Sequence, residues 1–137
     1  MAKKTAVPNP ANPDFSSMFN WGLKLTDYKE LFLIAGHMAH DATGATPHPG
    51  DAVGQTKYIL DNFPAYLESA GYTKHDIIRT EFTMTKAVPP DAYDQIFGLF
   101  AEFFADVEVK PTAGTLRVIE ALAIPDMLVE YEFWCAK

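Results

Sequence analysis

The alternation Val129-Glu130-Tyr131-Glu132-Phe133 near the end of the chain restricts the possible folds more than any other feature of the sequence. Apolar and acidic residues follow one another with a period of two, which is the pattern of a strand with one buried and one polar face. The preceding residues 115–124 are rich in Leu, Val and Ile, and Pro125-Asp126 then favours a chain reversal. The sequence therefore predicts two strands that face each other across one turn.

A candidate site follows from this predicted pairing. Glu130 and Glu132 share one face of the last strand, and Ala113, Thr115 and Arg117 alternate along the strand before it. If the two strands are neighbours, these side chains lie beside one cavity, where a carboxylate could act as a general acid or base. The simpler alternatives are solvated glutamates on a polar strand face and an arginine paired with an acidic neighbour.

The composition restricts the possible partners and cofactors. A net charge of -7, with eleven scattered Lys and Arg residues, does not provide the cationic surface that nucleic-acid phosphates require. The single cysteine, Cys135, has no internal partner, which is typical of a reducing compartment. The residues after Met1 do not have the apolar core of a signal peptide, and no apolar run is as long as a membrane span. We therefore expect a cytoplasmic protein without nucleic-acid or membrane partners, and with neither a metal nor another cofactor.

The first third of the chain is predicted to contain an arm and a hairpin. Residues 1–14 include three prolines and are predicted to form a flexible arm, followed by a single domain over residues 15–137. Residues 19–25 alternate, and residues 30–36 are almost continuously apolar. These two segments predict an antiparallel hairpin whose second strand is the more deeply buried.

The middle of the chain adds two helices and one strand. Apolar residues recur at helical spacing over residues 51–70 and again after residue 91, and residues 76–86 are predicted to form a strand between the two helices. The predicted order is β-β-α-β-α-β-β. It indicates an α+β fold in which two helices cover one face of a mixed sheet.

Six short motifs occur along the chain in a distinctive order. They are Ile34-Ala35-Gly36, Leu67-Glu68-Ser69-Ala70-Gly71, Asp76-Ile77-Ile78-Arg79-Thr80, Phe103-Phe104, Pro111 and Val129-Glu130-Tyr131-Glu132. In this order they resemble the YjgF-type Rid family of reactive enamine/imine deaminases, over residues 15–135. The resemblance implies a chorismate-mutase-like fold and a homotrimer with three ligand clefts between subunits.

The residues at the implied cleft depart from the family pattern. In the deaminating family members that this chain resembles, a Pro-x-Arg motif follows the second helix. The arginine of that motif binds the substrate carboxylate. Here Pro111 is followed two positions later by Ala113, whose methyl group cannot replace a bidentate guanidinium. Thr115 stands where the family has a cysteine, and Phe97 stands where an asparagine is common. Glu130 matches the position where family members hold the hydrolytic water.

Two functions remain open for such a cleft. The first is an enzyme that hydrolyses an imine or enamine, or that deaminates, transfers a proton or adds water to a small unsaturated or aromatic compound. Glu130 would be its acid/base and His37 a second proton carrier. The second is a non-catalytic trimer that binds a small ligand or another protein, which the loss of the arginine favours. The expected substrate-binding residues are Phe19, Trp21, Gly36, Phe97, Ala113, Thr115 and Arg117.

Overall fold

A computed structural model describes residues 2–137. Within them it contains two α-helices, one short 3-10 helix (Lys74–Asp76) and six strands, so the α+β prediction is confirmed. None of these helices is long and apolar enough to cross a membrane. In chain order the elements are β1 (Lys3–Val7), β2 (Gly22–Thr26), β3 (Leu31–Leu33), α1 (Ala52–Ser69), β4 (Ile77–Thr85), α2 (Ala92–Phe103), β5 (Thr112–Ile119) and β6 (Val129–Ala136).

Four strands form the main sheet, in the order β3-β6-β4-β5, and β1 and β2 form a separate two-stranded sheet. β6 is antiparallel to both of its neighbours, whereas β4 and β5 are parallel and are joined by α2. The predicted direct pairing of the last two strands is therefore wrong, because β4 lies between β5 and β6. Residues 120–128 connect these two strands, and this connection is longer than the two to five residues of a hairpin between neighbours.

The N-terminal segment differs from the predicted flexible arm of residues 1–14, of which residue 1 lies outside the described part of the chain. Lys3–Val7 forms β1, antiparallel to β2, and the ammonium of Lys4 donates hydrogen bonds to the carbonyls of His75 and Val109. All three prolines of this segment follow β1, so they do not bear on its conformation. Since β2 pairs with β1 and β3 pairs with β6, the predicted hairpin over residues 19–36 is also wrong.

Both helices cover the same face of the main sheet. The alternation of β6 is confirmed, because Val129, Tyr131 and Phe133 are fully buried while Glu130 and Glu132 are half-buried. The aromatic side chains of β6 pack against both helices. The ring centroid of Phe133 lies 4.3 Å from that of Phe63 in α1, and the centroid of Tyr131 lies 4.8 Å from that of Phe100 in α2. Each aromatic ring buried in this way contributes about 1.5–3 kcal/mol to folding. The acidic residues of β6 therefore lie on the opposite face of the sheet, which no helix within residues 2–137 covers.

Candidate functional site

An apolar cavity of about 280 Å³ lies on the helix-covered face, between β4, β5, α2 and the segment that precedes β2. Aromatic rings from three parts of the chain form most of its wall: Phe15, Phe19, Phe82, Phe97, Phe100 and Phe104. None of the lining side chains in residues 2–137 carries a charge. Ala113 stands at the β5 wall, so of the predicted binding residues the cavity brings together Phe19, Phe97 and Ala113. A cavity with these walls favours apolar molecules.

The segment before β2 closes one side of this cavity and is tied to the start of β5. The backbone N–H of Asn20 donates to the carbonyl of Pro111 at 2.9 Å, and its side-chain amide donates to the carbonyl of Lys110 at 2.7 Å. The ring of Trp21 packs against Phe19 with a centroid distance of 5.5 Å, while its indole N–H donates to the carbonyl of Pro13. Trp21 therefore supports Phe19 from outside and does not line the cavity.

A bulge in β5 decides which of its side chains reach the cavity. Thr80 of β4 pairs with Ala113 and Phe82 pairs with Leu116, so Gly114 and Thr115 together oppose the single residue between Thr80 and Phe82. The extra residue reverses the alternation along the strand. Leu116 joins Ala113 at the cavity, while Thr115 and Arg117 are directed to the opposite face of the sheet. The prediction that Ala113, Thr115 and Arg117 point to one cavity is therefore wrong for the last two residues.

Glu81 occupies the position opposite this bulge, on the face that the helices leave uncovered. Its carboxylate accepts hydrogen bonds from the backbone N–H of Thr115 at 3.2 Å, from Arg117 Nη1 at 3.0 Å and from the guanidinium of Arg79. Burial of Glu81 opposes ionisation. The hydrogen bonds from Thr115 and Arg79, together with the positive charges of Arg79 and Arg117, outweigh burial, and the pKa of Glu81 is lowered. Glu81 is thus an ionised group that holds both arginines.

Gly114 in the bulge leaves room for the Glu81 carboxylate. A Cβ atom on Gly114 would overlap that carboxylate, so a larger residue in this position of β5 would displace it from Arg79, Arg117 and the N–H of Thr115. Gly114 lines the cavity from the other side of the strand. The buried carboxylate on one face therefore helps to set the shape of the apolar cavity on the other.

Glu130 lies apart from the cavity. It belongs to the uncovered face, where Thr83 of β4 lies next to it and Arg117 of β5 is one strand further along the same row. Its close neighbour is Gly36, since a Cβ atom on Gly36 would lie 2.9 Å from the Glu130 carboxylate. The structure therefore brings Glu130 and Gly36 together, but within one chain the sheet separates them from Phe97 and Ala113.

His37 is held by its backbone and by aromatic contacts. Its N–H donates to the carbonyl of Tyr131 at 2.7 Å, and its Nδ1 donates to the carbonyl of Ala35 at 2.8 Å, which leaves Nε2 as the basic nitrogen. The ring packs against Phe63 at 5.1 Å and Tyr66 at 5.2 Å, both from α1. His37 and Glu130 thus lie on opposite faces of the sheet, and the geometry of one chain does not pair them as proton carriers.

Sequence reasoning missed two residues that matter here. By alternation, Thr80 belongs to the same strand face as Phe82 and Met84, which face the helices. A polar residue on an otherwise apolar face could have marked Thr80 as part of a site. Glu81 is buried although it is acidic, and its position two residues after Arg79 was the available signal. In all other respects, Thr80 and Glu81 have the sequence pattern of ordinary strand residues.

Comparisons with known proteins agree on a family. Residues 16–136 match the family Ribonuc_L-PSP, described as Endoribonuclease L-PSP. A RutC family protein from Pyrococcus horikoshii is 30% identical over 127 residues, which cover 92% of this chain and 88% of that protein.

Solved structures support the same fold. YyfB from Yersinia pestis, described as a protein of unknown function of the conserved Rid protein family, superposes with a TM-score of 0.85 at 23% identity and covers 98% of both chains. A member of the YjgF/YER057c/UK114 family from Mycobacterium tuberculosis superposes with a TM-score of 0.62 at 20% identity, over 98% of this chain and 100% of that one. At these identities the superpositions establish the fold alone.

Proposed function

Because the chain belongs to the Endoribonuclease L-PSP family, which includes the YjgF, Rid and RutC proteins, we propose that it binds a small apolar or aromatic molecule in the cavity beside α2 and β5. The observation that carries this proposal is an aromatic wall, contributed by three parts of the chain, around about 280 Å³ of space. An apolar cavity of roughly 150 Å³ holds benzene, so this one has room for a compound of about one to two rings.

The charges of the chain argue against two other activities. RNA cleavage needs cations that hold phosphates, but the chain carries a net charge of -7, and Arg79 and Arg117 are both engaged by Glu81. Deamination of amino-acid imines, which the Rid resemblance implies, needs a cation for the substrate carboxylate. Ala113 stands where that arginine is expected, and no cationic side chain among residues 2–137 lines the cavity.

A catalytic role of Glu130 is the second candidate, and one contact favours it. Because Gly36 has no side chain, the Glu130 carboxylate packs directly against the backbone of Gly36 at the edge of the sheet. If a second subunit covers this face, as the homotrimer implied by the Rid resemblance would, a substrate could lie between Gly36 and the neighbouring chain. Glu130 would then transfer protons during hydrolysis of an imine or enamine, or during the addition of water to an unsaturated compound.

A binding screen with a cavity-filling variant tests the first candidate. Small phenols, aromatic amines and aromatic hydrocarbons are tested by ligand-observed NMR against the wild type, Ala113→Leu and Ala105→Leu. The Ala113→Leu substitution would place three more carbon atoms in the cavity, whereas Ala105 is exposed beyond α2. We expect binding to the wild type and to Ala105→Leu, and a loss of at least about tenfold in Ala113→Leu. Equal binding to all three proteins would place the ligand elsewhere and refute the proposal.

A further inference from the structure

Thr80 is one of the residues that line the cavity, and the environment of its hydroxyl group is unusual. The residue is 2% exposed, and within residues 2–137 its Oγ1 is the only buried side-chain polar atom that has no hydrogen-bond partner. Buried polar atoms in proteins nearly always have a partner. Thr56, the other threonine close to the helix-facing core, shows the ordinary case: its Oγ1 donates to the carbonyl of Ala52 at 2.9 Å and lies 2.6 Å from Tyr131 Oη.

The surroundings of Thr80 restrict what could pair with it. Among the residues that the structure describes, the other side chains that line the cavity are aromatic or aliphatic, apart from the thioether of Met18. Thr80 therefore supplies the only strong side-chain hydrogen-bonding group in this part of the described chain. A hydroxyl can donate or accept one hydrogen bond from a molecule in the cavity. An ionised carboxylate or phosphate would be buried in this space without a counter-charge, which is strongly unfavourable.

We propose that the cavity selects a neutral aromatic or aliphatic molecule of about one to two rings with a single hydrogen-bonding group, and that Thr80 Oγ1 recognises that group. Alcohols, phenols, and compounds with one carbonyl or one N–H belong to this class, and carboxylic acids do not. The inference rests on the proposed function, because it assumes that the cavity is a ligand site. The inference adds Thr80 to this site as a residue that determines which ligands bind in the cavity.

The test compares three probes of similar size: phenol, fluorobenzene and benzoate. Dissociation constants are measured by NMR titration for the wild type, for Thr80→Val and for Thr83→Val. Valine keeps the shape of threonine and removes its hydroxyl. Thr83 lies on the same strand but on the uncovered face, in the row of Glu130 and Arg117, so it serves as the matched control.

We expect Thr80→Val to weaken phenol binding by about 5- to 100-fold, because the phenol hydroxyl is then buried without a partner. Fluorobenzene should bind wild type and Thr80→Val within about threefold of one another, Thr83→Val should resemble the wild type, and benzoate should not bind. The ligand-free Thr80→Val protein should melt no lower than the wild type, because no hydrogen bond is lost.

Two kinds of failure can be told apart. In the first, phenol and fluorobenzene both bind the wild type, and Thr80→Val weakens the binding of both probes by the same factor. In that case, or if benzoate binds as tightly as phenol, the role of Thr80 is refuted while the cavity remains a ligand site. If neither neutral probe binds the wild type, the ligand site itself is refuted, and the inference with it.

Discussion

Replacing Glu81 with glutamine should destabilise the fold strongly at neutral pH. Glu81 is 7% exposed, and its carboxylate joins Arg79, Arg117 and the backbone of Thr115. Glutamine keeps the size of the side chain, but it loses the charge, and its amide nitrogen must face a guanidinium group or the Thr115 N–H. Breaking a fully buried ion pair costs about 3–5 kcal/mol. The side chains of Arg79 and Arg117 are 42% and 54% exposed and can regain water, so the expected loss is about 1.5–3 kcal/mol.

Glu132→Gln is the matched control for this change. Glu132 lies directly opposite Glu81 in the pairing of β4 with β6, on the same uncovered face. It is half-buried, and its carboxylate accepts a hydrogen bond from Trp134 Nε1 at 3.1 Å, which a glutamine oxygen can also accept. We expect this variant to lie within about 0.5 kcal/mol of the wild type.

The pH dependence supplies a second check on the same reasoning. The folded protein lowers the pKa of Glu81, so the stabilisation is fully present above the pKa of an unfolded glutamate, about 4.3, and is lost as the pH falls through the folded value. Urea denaturation at pH 7 should separate Glu81→Gln from the wild type, and the difference should shrink below about pH 4. An equal difference at pH 3 and pH 7, or an equal loss in Glu132→Gln, would refute this account of Glu81.

Three further predictions concern activity, reactivity and assembly. Ammonia release from 2-aminoacrylate should be roughly 30- to 1,000-fold slower than in relatives that carry the family arginine, because Ala113 cannot bind the substrate carboxylate. A rate equal to that of these relatives would contradict this prediction. Burial, followed by the charge of Asp76, raises the pKa of Cys135 to about 12. A thiol reagent such as DTNB at pH 8 should therefore react with Cys135 only after denaturation, and rapid labelling of the folded protein would contradict this prediction. The resemblance to the Rid family implies a trimer, and Leu31, Leu33 and Val118 are apolar residues exposed on strands of the main sheet that a second subunit could cover. Light scattering should then give about three times the 15.2 kDa chain mass, whereas a stable monomer would exclude the trimer.

Features set by neighbouring residues could be predicted from the sequence. The alternation from Val129 to Phe133 identified the buried face of β6, because successive side chains of a strand point to opposite sides. The limits of α1 were also accessible. Asp51 accepts a hydrogen bond from the N–H of Gly54 at the start of the helix, and Gly71 adopts a positive φ of 82° just after its end.

Features set by distant parts of the chain could not be predicted in this way. The placement of β4 between β5 and β6 depends on which strands meet after the chain has folded, and neither the turn at Pro125 nor the alternation of β6 contains that information. The bulge at Gly114 and Thr115 has a larger effect, because it shifts every later side chain of β5 to the other face. Simple alternation therefore places Arg117 at the cavity, although it binds Glu81 on the opposite side.

The location of a bound ligand is the most direct test of the central claim, that the apolar cavity on the helix-covered face is the functional site. Phenol is titrated into the ¹⁵N-labelled protein, and the backbone amide shifts are followed residue by residue. We expect the largest changes at Phe97, Ala113 and Gly114, which line the cavity, and little change at Gly36 and Glu130. Changes concentrated at Gly36 and Glu130, with Phe97 and Gly114 unaffected, would contradict the claim and favour the catalytic role of Glu130.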